Sequence, residues 1–478
     1  MTEPATDPGL AAHMRRRNFL NLGLAPLAVE WARPPNLCLI MTDQQRPDFL
    51  GCYGQNPVIR TPHLDHLAAG GVRFTQTFIA GYPCCPSRAS LLTGLYPHAH
   101  GVIRNGIALD AAVPTLGDVL KNAGYRTAWM GKWHLGSEDE PQHGFDRWVG
   151  GRKHYRDYLA VHKLLEPIPG EKVGGLHHTV SRDGHSVIPE EHFMESFLAG
   201  EAVRFLREQR TSKQPFFLGF SCFGPHQPTT PPEPWDKKYT SAQVVLSKSY
   251  HDELHNKPAR QKEASGRLAG RLTEAQFRRV AARYYGYVEY LDRQIGRVLD
   301  ALEECGLAQD TVVAFTSDHG EMLGAHGFIY KGPYLYDEVV RVPLLLRYPR
   351  RIAAGRSSAA LISNVDVAPT LLELLGLPTM PRQDGRSLLP LLRGASARHR
   401  DMVFCEHAGE TSIKMARTRD WKLALNWRPP ETDELYDLAR DPLELNNLID
   451  APAAQPIRAR LAAEIRAWLR DAADGERL

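Results

Sequence analysis

Two acid-led pairs, Asp43-Gln44 and Asp318-His319, each stand directly after an apolar run. Two carboxylates with an amide and an imidazole beside them form a donor set for a divalent cation held mostly through oxygen. Ca2+ suits that set first. His319 adds a nitrogen donor, which makes Mg2+ or Mn2+ the alternatives. Such a cation polarises an oxygen of the reacting group and lowers the pKa of a hydroxyl bound to it. Arg88, Lys132 and Lys331 add fixed positive charge, and His134 and His226 can move protons near neutral pH. Together these residue types suit hydrolysis of a tetrahedral oxyanion ester, whose transition state gathers negative charge on the bridging oxygen.

The candidate nucleophile is Cys84, in the run Cys84-Cys85-Pro86-Ser87-Arg88. A thiolate phosphatase loop needs a longer span between its Cys and its Arg, so that backbone amides wrap a phosphate. Here only Cys85, Pro86 and Ser87 intervene, and that chemistry is excluded. A papain-like pairing with a histidine has no local signature in the chain. The seven cysteines are an odd number without a Cys-x-x-Cys pair, so neither a disulfide framework nor a zinc site is expected. Cys38 and Cys222 lie in strand-like runs, as small buried hydrophobes commonly do.

These groups need elements that bring them together. From Pro35 onward, short apolar runs alternate with helix-like segments, the pattern of an α/β domain built on a mostly parallel sheet. Residues 37–42, 126–130, 215–221 and 311–317 read as core strands. They are followed by Asp43-Gln44, by Gly131-Lys132-Trp133-His134, by Gly224-Pro225-His226, and by Asp318-His319-Gly320. Ligands of open α/β sheets bind outside the carboxyl ends of the strands. Four parallel neighbours would therefore gather the carboxylates, the lysine, the histidines and the Cys84 turn in one crevice. A single Asp after a strand is often only a helix cap, so the convergence carries the reading.

Val288, Leu291, Ile295, Val298 and Leu302 recur at spacings of three and four, which predicts a helix with one buried stripe. Thr273 with Gln276 marks its start as a capping box, and Gly306 its stop. Another packed helix is expected over 366–375. The chain divides into a leader over 1–34, a large domain over 35–394, and a small α+β domain over 400–478. In the small domain, strands at 402–406, 411–417 and 422–426 form an antiparallel sheet. Loops are expected at 433–438 and 441–442, and a terminal helix at 457–472.

Composition narrows the partners. The 478 residues are 43% hydrophobic and 24% charged with a formal net charge of +3. No basic tract interleaved with aromatics is present, so nucleic acid is not an expected partner. No run reaches the ~20 apolar residues of a membrane span. Arg16-Arg17-Asn18-Phe19-Leu20, followed by an apolar stretch at 22–29, reads either as a twin-arginine export signal of a periplasmic protein or as the basic leader of a cytoplasmic one.

Residues 84–94, Cys-Cys-Pro-Ser-Arg-Ala-Ser-Leu-Leu-Thr-Gly, resemble the signature by which sulfatases mark one cysteine for oxidation to formylglycine. The resemblance extends to 41–45, 131–136, 225–228, 316–320, Tyr330-Lys331 and 434–447. Over about 37–448 the chain thus resembles the formylglycine-dependent sulfatases of the alkaline phosphatase-like superfamily. That likeness implies an alkaline phosphatase-like fold and a sulfuric ester hydrolase acting through a covalent sulfo-enzyme. It also implies a maturation enzyme that generates formylglycine at Cys84. By similarity, Asp43, Gln44, Asp318, His319 and the modified Cys84 would ligate Ca2+, and Asp318 would help deprotonate the attacking gem-diol. Lys132 and Lys331 would hold the sulfate oxygens, Arg88 would brace the modified residue, and His226 would protonate the departing alcohol. His134 would take the proton that lets the aldehyde re-form.

Two positions depart from the common pattern, since many members carry a second Asp in place of Gln44 and an Asn in place of His319. The Gln and His variants also occur among relatives that act on phosphonate monoesters and phosphate diesters, which gives the alternative activity. The substrate, a small-molecule or carbohydrate sulfate ester, would be framed by the loops 146–185 and 228–272. His98, His100 and Asn105 either reach that substrate or pack beside the signature.

Overall fold

The described residues form fourteen strands: β1 (Asn36–Asp43), β2 (Val72–Phe78), β3 (Gly81–Tyr82), β4 (Arg126–Gly131), β5 (Arg147–Val149), β6 (Phe216–Pro225), β7 (Thr311–Ser317), β8 (Arg341–Arg347), β9 (Arg356–Ser358), β10 (Ile362–Ser363), β11 (Val403–His407), β12 (Ser412–Arg417), β13 (Trp421–Arg428) and β14 (Glu434–Asp437). They belong to a computed structural model that describes residues 34–164, 186–264, 266–268, 271–409, 411–428 and 431–471. The twin-arginine-like leader and the 165–185 portion of the loop 146–185 lie outside the described residues.

The large sheet has the order β10-β2-β8-β7-β1-β6-β4-β5, with β9 added on β2. The four strands singled out in the sequence, β7, β1, β6 and β4, are consecutive and parallel. Their register decides the site. Thr42 lies opposite Ser317, Asp43 opposite Pro225, and Gly131 opposite Ser221, so the polar residues that follow emerge along a single edge. β8 runs antiparallel to both β7 and β2 and makes the sheet mixed.

Helices cover the sheet because one face of each is apolar. Cys38, Ile40, Met130, Leu218, Phe220 and Phe315 pack against Leu198 and Ala202 of the helix Met194–Gln209 and against Leu291, Ile295 and Val298 of the helix Glu274–Glu304. Each Leu, Ile, Val, Met or Phe among them contributes about 1.5–3 kcal/mol on burial. The long helix starts at the expected capping box, with Thr273 accepting from Gln276 N and the Gln276 side chain returning to Thr273 N. It ends at Glu304, and Gly306 follows in the left-handed region at φ 68°. Val288 departs from the predicted stripe and turns into a neighbouring cluster with Phe49 and Tyr284.

The second sheet has the order β14-β13-β12-β11-β3. Its antiparallel part matches the expectation except at the edge. Glu434–Asp437, expected within a loop, forms β14 on β13, because Leu435 and Tyr436 are buried while the flanking acids only resemble turn composition. The other edge is β3, which precedes the Cys84 helix and pairs parallel with β11. The terminal helix Gln455–Asp471 lays Leu461 and Ile465 on Ala416, Leu423 and Leu435. The described residues form one compact unit. Among the described residues no helix is long and apolar enough to cross a membrane.

Candidate active site

Strand ends place the carboxylates. Asp43 closes β1, and the chain then turns through Gln44 at φ 67°. That turn is held by the Gln44 amide donating to Asp318 Oδ1 (3.1 Å) and by Tyr284 of the long helix donating to Gln44 O (2.9 Å). Asp318, just past β7, donates its amide to Thr42 O, which locks the two acid-bearing turns together. Cys84 is the first residue of a helix, Cys84–Thr93, and not part of a free turn. Arg88 lies one helical turn later on the same face. Its Nε donates to Asp318 Oδ2 (2.7 Å), and its Nη1 donates to Lys132 O (2.9 Å) and Ser221 Oγ (3.0 Å).

The turn after β4 delivers Lys132 and His134. Gly131 sits at φ 104°, where a Cβ would meet Ser221 O at 1.9 Å, so only glycine allows the chain to pass. Glu138 accepts from the amides of Trp133 (3.0 Å) and His134 (2.8 Å) and fixes His134 at φ 65°. Lys132 Nζ hydrogen-bonds Asp43 Oδ2. Lys331 Nζ reaches Cys84 Sγ (3.0 Å), His226 Nε2 (2.9 Å) and His319 Nε2 (3.3 Å). All ten sequence-derived candidates therefore converge, with Cys84 at the centre.

The donor set fits a cation. Ligand atoms of Asp43, Cys84, Asp318 and His319 all lie within 4.8 Å of one another, the spread expected of atoms around one ion with metal–oxygen distances of about 2.3–2.6 Å. Asp43 Oδ1 and Gln44 Oε1 are buried and have no hydrogen-bond partner. Buried acceptors left in that state are costly unless something binds them. His319 Nδ1 donates to Gly320 O (2.7 Å), since a carbonyl can only accept. Its Nε2 therefore faces the cluster as an available ligand. His226 is fixed likewise, with Nδ1 on Gln227 O (2.6 Å) and Nε2 toward Lys331.

The field at Cys84 is positive. Burial alone would push its thiol up, but Lys331, then Lys132 and His319, with a hydrogen bond from the His134 side chain, hold it well below the usual value. Burial also opposes charge on Asp43, where Lys132 prevails and keeps the carboxyl far down. Burial would lower Lys132, yet Asp43 and Cys84 hold it up, and Cys84 and Asp43 do the same for Lys331. Whatever anion occupies position 84 is thus stabilised from several sides.

The residues next to the signature make structural contacts. His100 is buried, bonded to Ser90 Oγ (3.0 Å), and lowered to about 3 by burial. His98 pairs with Glu406 (2.7 Å) and stacks on Tyr96. Asn105 accepts from Cys85 N (2.9 Å). Sequence reasoning missed Ser221 on Arg88 and Glu138 under His134. It also missed Glu321, which binds the Gln44 amide. Glu321 offered one signal, an acid directly after Asp318-His319-Gly320 and buried to 1% exposure.

Comparison with known proteins agrees with this geometry. The sulfatase family matches residues 35–377, and the C-terminal family of N-sulphoglucosamine sulphohydrolase matches 324–471. The chain belongs to the sulfatase family. An uncharacterized sulfatase of Escherichia coli (strain K12) is 31% identical over 444 residues, covering 89% of this chain and 85% of that protein. The N-acetylglucosamine-6-O-sulfatase of Bacteroides thetaiotaomicron is 30% identical, covering 88% and 83%. Among solved structures, the phosphonate monoester hydrolase of Agrobacterium radiobacter superposes with a TM-score of 0.80 at 28% identity, covering 92% and 96%. The sulfatase is therefore a mixed α/β hydrolase with the large and small sheets expected from its sequence.

Proposed function

We propose that this sulfatase hydrolyses a sulfate monoester, with Cys84 matured to formylglycine by a dedicated maturation enzyme and Asp43, Gln44, Asp318, His319 and residue 84 holding a divalent cation. Ca2+ is the first choice, with Mg2+ or Mn2+ able to use the same oxygen-rich set. The observation that carries the reading is Cys84 Sγ buried between Lys331 Nζ (3.0 Å) and His319 Nε2 (3.1 Å). That sulfur stands where an oxygen of the matured side chain would sit. The cation would supply charge stabilisation and a lowered hydroxyl pKa.

The chain's own residues do the rest. Lys132 and Lys331 bind the anionic oxygens of the ester and stabilise the charge that grows on them. Arg88, paired with Asp318, keeps residue 84 and that carboxylate in fixed relation. His226 presents Nε2 toward the reacting group and protonates the departing alcohol oxygen. His134, whose side chain hydrogen-bonds Cys84, takes a proton from side chain 84 as the sulfate leaves. A carbohydrate or small-molecule sulfate ester is the substrate class.

Gln44 and His319 support one second reading, a phosphonate monoester or phosphodiester hydrolase on the same scaffold. The Agrobacterium radiobacter neighbour is consistent with it. Turnover of an aryl sulfate, an aryl phosphonate and an aryl phosphodiester by one preparation decides between them. The sulfatase reading expects the highest kcat/KM on the sulfate. A preference for either phosphorus ester by tenfold or more (~1.4 kcal/mol) would replace it.

A further inference from the structure

Glu321 is a buried carboxylate with every oxygen engaged. Its Oε1 accepts from Leu323 N (2.9 Å) and from Tyr330 N, and its Oε2 accepts from Gln44 Nε2. Accepting at Oε2, it faces the nitrogen end of the Gln44 carboxamide. The same nitrogen donates its other hydrogen to Gln227 Oε1 (2.8 Å). Both amide hydrogens are thereby used, and Gln44 Oε1 is left buried without a partner, as is Asp43 Oδ1. A carboxamide has two nearly isosteric ends, and nothing in Gln44 itself selects which one a cation meets.

We propose that Glu321 is a positioning residue that turns the Gln44 carboxamide so that its oxygen faces the cation, and that through Tyr330 N it also anchors the segment bearing Lys331. The proposal rests on the cation site proposed above. It gives a role to a buried acid that touches no reacting atom. Polar partners of metal ligands commonly account for 10–100-fold in metal affinity.

The test uses the purified full chain stripped of metal, titrated with CaCl2 and with MnCl2 by calorimetry, alongside a denaturant midpoint without metal. In Glu321→Gln the substituted amide can still accept from Leu323 N and Tyr330 N. It presents hydrogens to position 44, so the Gln44 oxygen turns away from the cation. The expected result is about 10–100-fold weaker binding with an unchanged metal-free midpoint. Adding Gln44→Glu to that variant returns an oxygen to each side, and binding should recover to within a few-fold of the wild type.

Glu321→Asp, one methylene too short to reach Gln44, should weaken binding as well and serves as the second variant if the first does not fold. Affinity within threefold of wild type in either variant, or a loss that Gln44→Glu does not recover, overturns the proposal. A wild-type protein that binds neither cation overturns the cation site itself, which is a distinguishable outcome.

Discussion

Asp318 meets Arg88, the Gln44 amide and the His319 amide through its two oxygens. Asp318→Asn keeps the shape and removes the charge. It should lower kcat by at least ~100-fold and weaken cation binding. Glu303→Gln, an exposed change opposite Arg347, should stay within about twofold, as surface ion pairs usually do. Equal effects in the two variants, measured by sulfate release, would reduce Asp318 to a structural role in the turn after β7. Most of the residue-level site was readable because four sets of polar residues follow four apolar runs, where any one alone would be ordinary. Glu321 was not readable, because its meaning lies in Gln44, 277 positions away along the chain.

At the element scale, the turn carrying His226 is held by a helix. Glu195, in the first turn of Met194–Gln209, accepts from Gly224 N (3.1 Å) and Tyr287 OH (3.2 Å). Burial raises its carboxyl to about 7, only partly countered by those hydrogen bonds. A folded-state pKa raised above the unfolded one means that the native state binds more protons. Stability is then fully present below the ordinary value near 4.5 and is lost as pH rises through 7.

Glu195→Gln should retain both hydrogen bonds and remove that loss. Relative to the wild type it should gain up to about 3 kcal/mol between pH 4.5 and 8, read from denaturant midpoints. Parallel pH curves would contradict the assignment. Element boundaries were legible where a physical signal marked them, as with the Thr273 capping box and the strand ends. β3 was not, since Gly81–Tyr82 is too short to show a period, and β14 was hidden by its acids.

Across the whole molecule, ion pairs with little solvent exposure tie the small sheet to segments outside it. Asp337, just before β8, pairs with Arg417 (3.0 Å) on β12 and with Lys422 (3.0 Å) on β13, while Glu406 on β11 holds both His98 and Lys414. Asp337→Ala strands a nearly buried Arg417, whereas Lys422 keeps Glu444 (2.7 Å). The cost should be about 3 kcal/mol, at the lower end for a broken buried pair, and visible as a lowered denaturant midpoint. A change below about 1 kcal/mol would mean that the Asp337–Arg417 pair contributes little to stability. The convergence at Cys84 is the claim on which all of this bears, and the intact mass of the protein tests it most directly. Produced with its maturation enzyme, an active preparation should be about 18 Da lighter than the sequence mass, with the deficit mapped to the Cys84 peptide and lost in Cys84→Ala together with turnover. A fully active preparation with an unshifted Cys84 would contradict the account.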